Sequence, residues 1–314
     1  MHREAQTKPQ KKEKSSEFKK LTKPVCIRCN STNIKKMGFR RTQNRGKQQR
    51  WLCKSCKKSF TIDKGFWKMK NSPNKITEAL HLYFSGTSLR KTQAHLGVFC
   101  NSNCSYVTIL DWIKKYATLV GNFTDSLKLK VGEELMSDEM EYSTKGKQTW
   151  FVDVMDTKTR YMVSSDFMRS RTIEKLIEVL KLAKTKTEEQ VKIVTTDGLQ
   201  GYPRVLRKTF GLQSQYHSSS KTKSKIIHNV VIASERGFNH KIERLHNSIR
   251  ERTKTMRGFG EMNSAKSIMK GYEIYYNFCR KHQGIGKYPY ELATDLRLGN
   301  NKWLDLIKLA KSRK

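Results

Sequence analysis

The sequence has no long apolar run. None of its hydrophobic stretches approaches the roughly 18 residues that a membrane-spanning helix needs. The first residues, MHREAQTKPQKKEK, also lack the apolar core of a secretory signal. We therefore expect a soluble, intracellular protein.

Acidic residues are scarce relative to basic ones. The 314 residues include 28 Asp and Glu against 64 Lys and Arg, and the formal net charge is +36. Such an excess repels itself unless a polyanion neutralises it, so nucleic acid is the expected partner. Residues 1–70 hold 22 basic and 4 acidic residues, which is half of the whole imbalance. A generally basic proteome or solvated lysines would explain only a few of these charges.

Cysteine is also infrequent, and most of it falls in one pattern. Of seven cysteines, four form the pairs Cys26-x-x-Cys29 and Cys53-x-x-Cys56, separated by 23 residues. Each pair presents two thiolates to one ion, and the intervening length suits a small β-hairpin. The spacing predicts a structural Zn²⁺ site in a zinc ribbon at 23–63. Such a closed site is structural, so it argues against zinc catalysis. Because these cysteines have metal-ligand spacing, no disulfide is expected.

Two further basic segments lie in or before this ribbon. Residues 1–22 are rich in lysine and almost devoid of apolar side chains, which predicts a disordered basic tail with an electrostatic role. Between the cysteine pairs, FRRTQNRGKQQRW interleaves basic residues with Phe39 and Trp51. This pattern suits phosphate contacts with some stacking, and Arg40 and Arg41 are its DNA-binding candidates.

Residues 72–122 switch to helical periodicity. Gly86 stops the first helical segment, Thr87 or Ser88 can cap the second, and Ser105 can cap the third. Three short helices with these breaks resemble a helix-turn-helix domain, whose last helix enters a major groove. A three-helix bundle without a DNA function stays open as the alternative. The candidate DNA-contacting residues are Arg90, Lys91, Gln93, Tyr106, Thr108, Lys114 and Lys115.

The remainder of the chain reads as an α/β domain. The stretches ELMSDEMEYS, KQTWFVDVMD and RYMVSSDFM predict an antiparallel meander, followed by an amphipathic helix, RTIEKLIEVLKLAKT, and a buried strand, VKIVTTD. This order is that of an RNase H-like catalytic domain, which we place at 131–296. Residues 297–314 are expected to form a basic helix or tail.

Three acidic residues in this domain stand in settings that suit catalysis. Asp138 falls within the first strand, Asp197 ends the fourth, and Glu243 lies on a helix. The two strands are neighbours in an RNase H-like sheet, so these carboxylates can hold two Mg²⁺ or Mn²⁺ ions, and Glu243 would close the site. Arg250 lies seven positions after Glu243, rotated only about 20° around the helix, and can bind a phosphate.

Each of these residues alone is weak evidence, because strand, turn and helix carboxylates are usually solvated or in surface ion pairs. The order and spacing of all three carry the prediction. Asp153 is the first substitute if one of them is wrong. The carboxylates nearby that we leave outside the site are Glu139, Glu141, Asp153, Asp156 and Glu235.

The triad resembles the signature of DDE transposases and integrases, and residues 133–293 resemble the core of compact insertion-sequence transposases. SLRKTQAHL followed by VTILDWI resembles that family's helix-turn-helix, and the cysteine ribbon resembles the finger of some members. The FCNSNCS loop departs from the pattern and leaves the start of the recognition helix open. The family's N-F-x-R-x-H and P-x-E-x-A motifs correspond to Asn277, Phe278, Arg280, His282, Pro289, Glu291 and Ala293.

The resemblance implies a DNA transposase that binds the terminal inverted repeats of its element. It would cleave the 3′ ends with water and use the released 3′-OH to attack target DNA, as a homodimer or higher oligomer associated with the nucleoid in the cytoplasm. Two alternatives stay open. A non-catalytic DNA-binding regulator would not need three carboxylates, and a structure-specific nuclease of the same fold would not need two DNA-binding modules.

Overall fold

The computed structural model describes residues 24–188, 190–212, 226–231, 240–256 and 258–312. The predicted basic tail and the lysine-rich HSSSKTKSK segment lie outside these residues, as does Glu235. The chain divides between Asp63 and Lys64 into two units, each with its own internal contacts.

A three-stranded antiparallel sheet forms the N-terminal unit. Its strands are β1 (Ile34–Thr42), β2 (Gly46–Cys53) and β3 (Ser59–Thr61). The β1–β2 hairpin turns at Gly46, whose φ of +63° lies in the left-handed region that favours glycine. The buried core of this unit is small and consists of Cys26, Cys53 and Phe60. The predicted hairpin between two cysteine pairs is confirmed.

Three helices begin the second unit: α1 (Pro73–Phe84), α2 (Leu89–Cys100) and α3 (Tyr106–Asp125). Each begins after a serine whose side chain accepts a hydrogen bond from a backbone N–H in the first turn. These caps are Ser72, Ser88 and Ser105. Since α2 continues to Cys100, only residues 101–105 separate it from α3, and the third helix begins at Tyr106.

A five-stranded sheet with the order β6-β5-β4-β7-β8 forms the centre of the second unit. Its strands are β4 (Glu134–Thr144), β5 (Lys147–Asp156), β6 (Met162–Met168), β7 (Ile193–Thr196) and β8 (Ile227–Val230). The first three pair antiparallel, whereas β7 runs parallel to β4 and β8 parallel to β7. This order is that of an RNase H-like α/β core, as the sequence predicts.

Helices cover this sheet and connect it to the N-terminal helices. They are α4 (Ile173–Thr187), α5 (Tyr202–Thr209), α6 (His240–Lys254), α7 (Met262–Ile274), α8 (Pro289–Ala293) and α9 (Lys302–Ser312). Gly271 in α7 lies so close to Phe84 in α1 that an added Cβ would come within 2.2 Å of the ring. Trp303 of α9 stacks on the same Phe84 ring, with 5.5 Å between the ring centroids. The N-terminal helices, the sheet and α9 therefore share one hydrophobic core.

Within the ranges given above, we find no helix of the length and hydrophobicity that crossing a membrane requires.

Candidate active site and metal centres

The carboxylates of the candidate active site gather where β7 ends beside β4. The two strands pair only as far as Thr196, which lies opposite Ser137. Asp197 follows directly after β7, while Asp138 and Glu139 continue β4 past that point. Because β7 stops, no described strand pairs with β4 there on the side away from β5. Side chains from β4 and from the end of β7 can turn into this gap.

Asp138, Glu139 and Asp197 form what we call the acidic cluster. One carboxylate oxygen of each lies within 4.8 Å of the other two. Oxygens bound to one octahedral Mg²⁺ at about 2.1 Å are separated by up to about 4.2 Å, so small side-chain shifts suffice to hold an ion. An all-oxygen donor set is the one that Mg²⁺ and Mn²⁺ prefer. The cluster therefore fits a hard divalent cation.

The electrostatics of the acidic cluster also favour a cation. Burial raises the pKa of Asp138 to about 6. The attraction of His246 lowers this pKa in part, whereas the negative charges of Asp153 and Asp197 raise it further. Burial likewise raises the pKa of Glu139 to about 7, and the charges of Asp197 and Asp138 add to the effect. A bound cation would relieve both the desolvation and the mutual repulsion.

Glu139 has an unusual environment for a carboxylate. Its side chain is only 2% exposed, and Arg171 Nη1 lies 3.7 Å from its Oε2. The Arg171 guanidinium lies over the Trp150 ring, 4.0 Å from the centroid. The Tyr202 hydroxyl, which is 3.1 Å from Ser137 Oγ, lies beside Glu139. Oε1 has no hydrogen-bond partner among the residues that the structure describes.

A histidine from α6 reaches the same region. His246 Nε2 lies 2.8 Å from Asp153 Oδ1, and its Nδ1 lies 3.6 Å from Asp138 Oδ2. Burial lowers the pKa of His246, but the attraction of Asp153 and Asp138 outweighs it and the pKa is raised. Asp153, the first substitute in the sequence analysis, is fully buried against this histidine. Sequence reasoning missed His246, although its position three residues after Glu243 places it on the same helical face.

Glu243, the third predicted carboxylate, lies outside the acidic cluster. Its side chain is 40% exposed, and its Oε2 lies 3.9 Å from His240 Nδ1. His246 contacts Asp138 and lies three residues after Glu243, which is about one helical turn. Glu243 is therefore about one turn of α6 away from the residue that touches the cluster. Arg250 is exposed on this helix. The structure thus brings Asp138 and Asp197 together and places Glu243 outside their cluster.

The four predicted zinc ligands converge in the N-terminal unit. Their Sγ atoms all lie within 4.8 Å of one another, with 3.6 Å between Cys26 and Cys56 and between Cys29 and Cys53. Sulfurs on a tetrahedral Zn²⁺ at about 2.3 Å are about 3.8 Å apart, whereas disulfide sulfurs are about 2.05 Å apart. Backbone N–H groups of Cys29 and Cys56 lower the pKa of Cys26 and Cys53, the latter to about 6. The pKa of Cys29 is instead raised to about 12, because the backbone N–H of Ser31 is outweighed by the contact with Cys53 and by burial. The sulfur set therefore fits zinc.

The predicted DNA-contacting residues lie at or near the surface. The side chains of Arg40, Arg41, Arg90, Lys91, Tyr106 and Lys115 are exposed, and those of Gln93, Thr108 and Lys114 are half-buried. The Arg90 guanidinium lies 4.8 Å from the Tyr106 ring centroid and so links α2 to the first turn of α3. The Thr108 hydroxyl lies 3.0 Å from Ser105 Oγ in the cap of α3. Val107, in the first turn of α3, is 49% exposed.

Residues 134–282 match the sequence profile of the DDE domain of the IS240 family of transposases. The matched segment is a DDE transposase domain. It begins with β4, which carries Asp138 and Glu139, and it includes Asp197 and Glu243. DDE transposase domains are metal-dependent enzymes that cleave and transfer DNA strands. No curated protein matches the chain.

Solved structures that resemble the chain include retroviral integrases. The HTLV-2 integrase catalytic core domain in complex with magnesium, in its trimeric form, is 12% identical with a TM-score of 0.36, covering 52% of this chain and 98% of that one. The dimeric form of the same domain is 12% identical with a TM-score of 0.35, and the match covers 52% of this chain and 97% of that one. A third match is to the simian T-cell lymphotropic virus intasome in complex with PP2A regulatory subunit B56 gamma. It is 14% identical with a TM-score of 0.38, and it covers 71% of this chain and 76% of that one. The family match, not these likenesses, identifies the DDE domain.

Proposed function

We propose that this protein is a transposase that binds the terminal inverted repeats of its element, cleaves their 3′ ends and joins them to target DNA. The observation that carries the proposal is the convergence of Asp138 and Asp197 at the end of β7, inside the matched DDE domain. The net charge of +36 supplies the attraction to DNA that such a reaction requires.

Asp138 and Asp197 are the proposed ligands of the catalytic ions, and Glu243 joins them from α6. Two bound Mg²⁺ or Mn²⁺ ions supply activation of the attacking oxygen and stabilisation of the leaving oxygen. The chain orients both aspartates by hydrogen bonds. The N–H of Glu139 donates to Asp138 Oδ1 at 2.7 Å, and the N–H of Leu199 donates to Asp197 Oδ1 at 3.1 Å. These contacts fix the side chains before DNA arrives.

The remaining predicted residues would recognise and hold DNA. In our proposal the first turns of α2 and α3, with Arg90, Lys91 and Tyr106, contact the terminal repeats through a major groove. Arg40 and Arg41 on the zinc-stabilised hairpin contact phosphates, and Arg250 holds a phosphate near the active site. Because two ends of one element must be joined in one complex, the active form is a homodimer or a higher oligomer.

A strand-transfer assay with repeat-bearing DNA and Mg²⁺ tests the proposal. Asp138→Ala, Asp197→Ala and Glu243→Ala should each abolish 3′-end cleavage and strand transfer while retaining end binding, because the recognition surfaces lie elsewhere. Arg250→Ala should have a milder effect, since it positions a phosphate and binds no metal. Glu141→Ala is the matched control, because Glu141 is exposed on the same strand and lies outside the acidic cluster.

The same assay separates the alternatives. Cleavage without joined products identifies a nuclease, and repeat binding without cleavage by the native protein identifies a regulator. DNA with scrambled ends should be neither cleaved nor joined. Near wild-type strand transfer by the Asp138, Asp197 or Glu243 variant would contradict the proposed active site.

A further inference from the structure

We infer that Glu139 is a metal ligand of the DDE domain, a role that the predicted triad of Asp138, Asp197 and Glu243 leaves out. This inference rests on the proposed function, because it adds a ligand to the metal site of that reaction. Three observations carry it: the burial of Glu139, the way its two oxygens are held, and its position on β4 just past the point where β7 ends.

The first observation is that Glu139 is a buried carboxylate that is only partly satisfied. Its side chain is 2% exposed, yet Oε1 has no hydrogen-bond partner within the described part of the chain. A buried carboxylate is unfavourable unless it is paired, hydrogen-bonded or bound to a metal. Within the described residues, the cation paired with it is Arg171, whose Nη1 lies 3.7 Å from Oε2. One oxygen of Glu139 therefore remains available to a ligand.

The second observation is that Glu139 is held in place by a rigid partner. Arg171 is itself stacked on Trp150, with 4.0 Å between guanidinium and ring centroid. A guanidinium fixed in this way restricts the orientation of the Glu139 carboxylate through Oε2. The Tyr202 hydroxyl lies beside the same carboxylate. The carboxylate also lies with one oxygen within 4.8 Å of oxygens of both Asp138 and Asp197. Glu139 therefore points one donor atom into the acidic cluster.

The third observation concerns the sheet. Consecutive strand residues normally point to opposite faces, so Asp138 and Glu139 would not be expected to share a ligand. Here β7 pairs with β4 only as far as Ser137, and the gap beyond its end lies in the plane of the sheet. Side chains from both faces of β4 can reach that gap, and a glutamate has the length to do so. The missing ladder partner thus makes a site for adjacent carboxylates.

Mn²⁺ binding to the full chain, without DNA, tests the inference by counting bound and free Mn²⁺ with electron paramagnetic resonance. Glu139→Gln keeps the size of the side chain and removes its charge, so the Mn²⁺ dissociation constant should rise by about tenfold or more. Glu141→Gln is the control, because Glu141 lies on the same strand but is exposed and outside the acidic cluster. The Glu141→Gln variant should bind Mn²⁺ as tightly as the native protein does. Native Mn²⁺ affinity in Glu139→Gln would overturn the inference.

Thermal unfolding distinguishes a ligand from a mere structural partner of Arg171. If Glu139 is a ligand, Glu139→Gln relieves carboxylate repulsion in metal-free protein, so its Tm should not fall, and Mn²⁺ should raise that Tm less than it raises the native one. A lowered metal-free Tm with an undiminished Mn²⁺ response would overturn the assignment. Should Glu139→Gln fail to fold, Glu139→Asp keeps the charge and shortens the reach, and weaker Mn²⁺ binding is expected for it too.

The aspartate variants keep this inference distinct from the proposed function. If Asp138→Asn and Asp197→Asn lose Mn²⁺ binding while Glu139→Gln keeps it, only the assignment of Glu139 fails. If neither aspartate variant changes Mn²⁺ binding, the cluster is not a metal site and the proposed function fails with it.

Discussion

Asp138 owes its position to contacts on two elements. The backbone of β4 donates to its Oδ1, and His246 of α6 lies 3.6 Å from its Oδ2. His246 is held in turn by Asp153, which sits directly across the β4–β5 ladder from Asp138 and is fully buried. This chain of contacts joins the catalytic sheet to the helix that carries Glu243.

His246→Ala should destabilise the protein, because it leaves the buried carboxylate of Asp153 without its hydrogen-bond partner. Leaving a buried polar group unsatisfied costs about 1–3 kcal/mol, and more when the group is charged, so the free energy of unfolding should fall by at least that order. Urea denaturation at neutral pH measures the change. Asn247→Ala, at the exposed next position of α6, is the control. Equal stability of the two variants would show that the His246–Asp153 contact contributes little.

At the scale of elements, the cysteine hairpin depends on its ligands more than on its core. Among the described residues of this unit, only Cys26, Cys53 and Phe60 form its buried core, and Ile34, Trp51 and Cys56 pack partly against them. Two of the three buried side chains are themselves proposed zinc ligands. The metal is therefore expected to supply much of the folding free energy of this unit.

Removing zinc should unfold the segment from Cys26 to Cys56 and leave the DDE domain folded, because the second unit has its own core. Cys53→Ser should act in the same way, and end binding should weaken. Metal analysis and limited proteolysis check both effects. Cys279→Ser, a cysteine of the second unit, should retain one equivalent of zinc. A native protein without zinc, or a Cys53→Ser variant that keeps a full equivalent, would contradict this assignment.

Elements with strong local signals are predictable from this sequence, and contacts between distant elements are not. Serine caps and periodicity locate α2 and α3, and alternation locates β4 and β5. The strand β8 has only four residues at a sheet edge, too few for a pattern. Gly271 against Phe84 has no local signature, since the contact joins residues far apart in sequence.

The candidate site follows the same division. Asp138 and Asp197 are predictable because each stands at a strand of recognisable character, and the strand order brings them together. The place of Glu139 in the cluster is not predictable from the sequence, because alternation along a strand points its side chain to the opposite face from Asp138. Its inclusion in the cluster depends on where β7 stops, which is a property of the folded sheet.

At the scale of the whole molecule, the net positive charge is the property that we expect to determine the affinity for DNA. The excess of Lys and Arg over Asp and Glu is spread along the chain, with half of it in residues 1–70. Binding DNA releases the cations that are condensed on the phosphates, so affinity should decrease with the logarithm of salt concentration. The exposed Arg40, Arg41 and Arg90 are among the expected contributors.

DNA affinity should fall with a slope of about −0.9 per phosphate contacted in a plot of log K against log salt. Deleting residues 1–22, which lie outside the described residues, should flatten this slope because it removes basic charge. The preferred DNA sequence should stay the same. Fluorescence anisotropy with labelled repeat and scrambled DNA measures both properties. A deletion that alters sequence preference and leaves the slope unchanged would contradict an electrostatic role for the tail.

Anomalous scattering from crystals grown with Mn²⁺ tests the central claim most directly, because it locates the ion without reference to activity. The account predicts an anomalous peak between Asp138 and Asp197, within about 2.2 Å of an oxygen of each carboxylate. Crystals of Asp197→Asn should lose the peak or show it much weakened. Strong Mn²⁺ peaks elsewhere on the protein and none at the end of β7 would contradict the account.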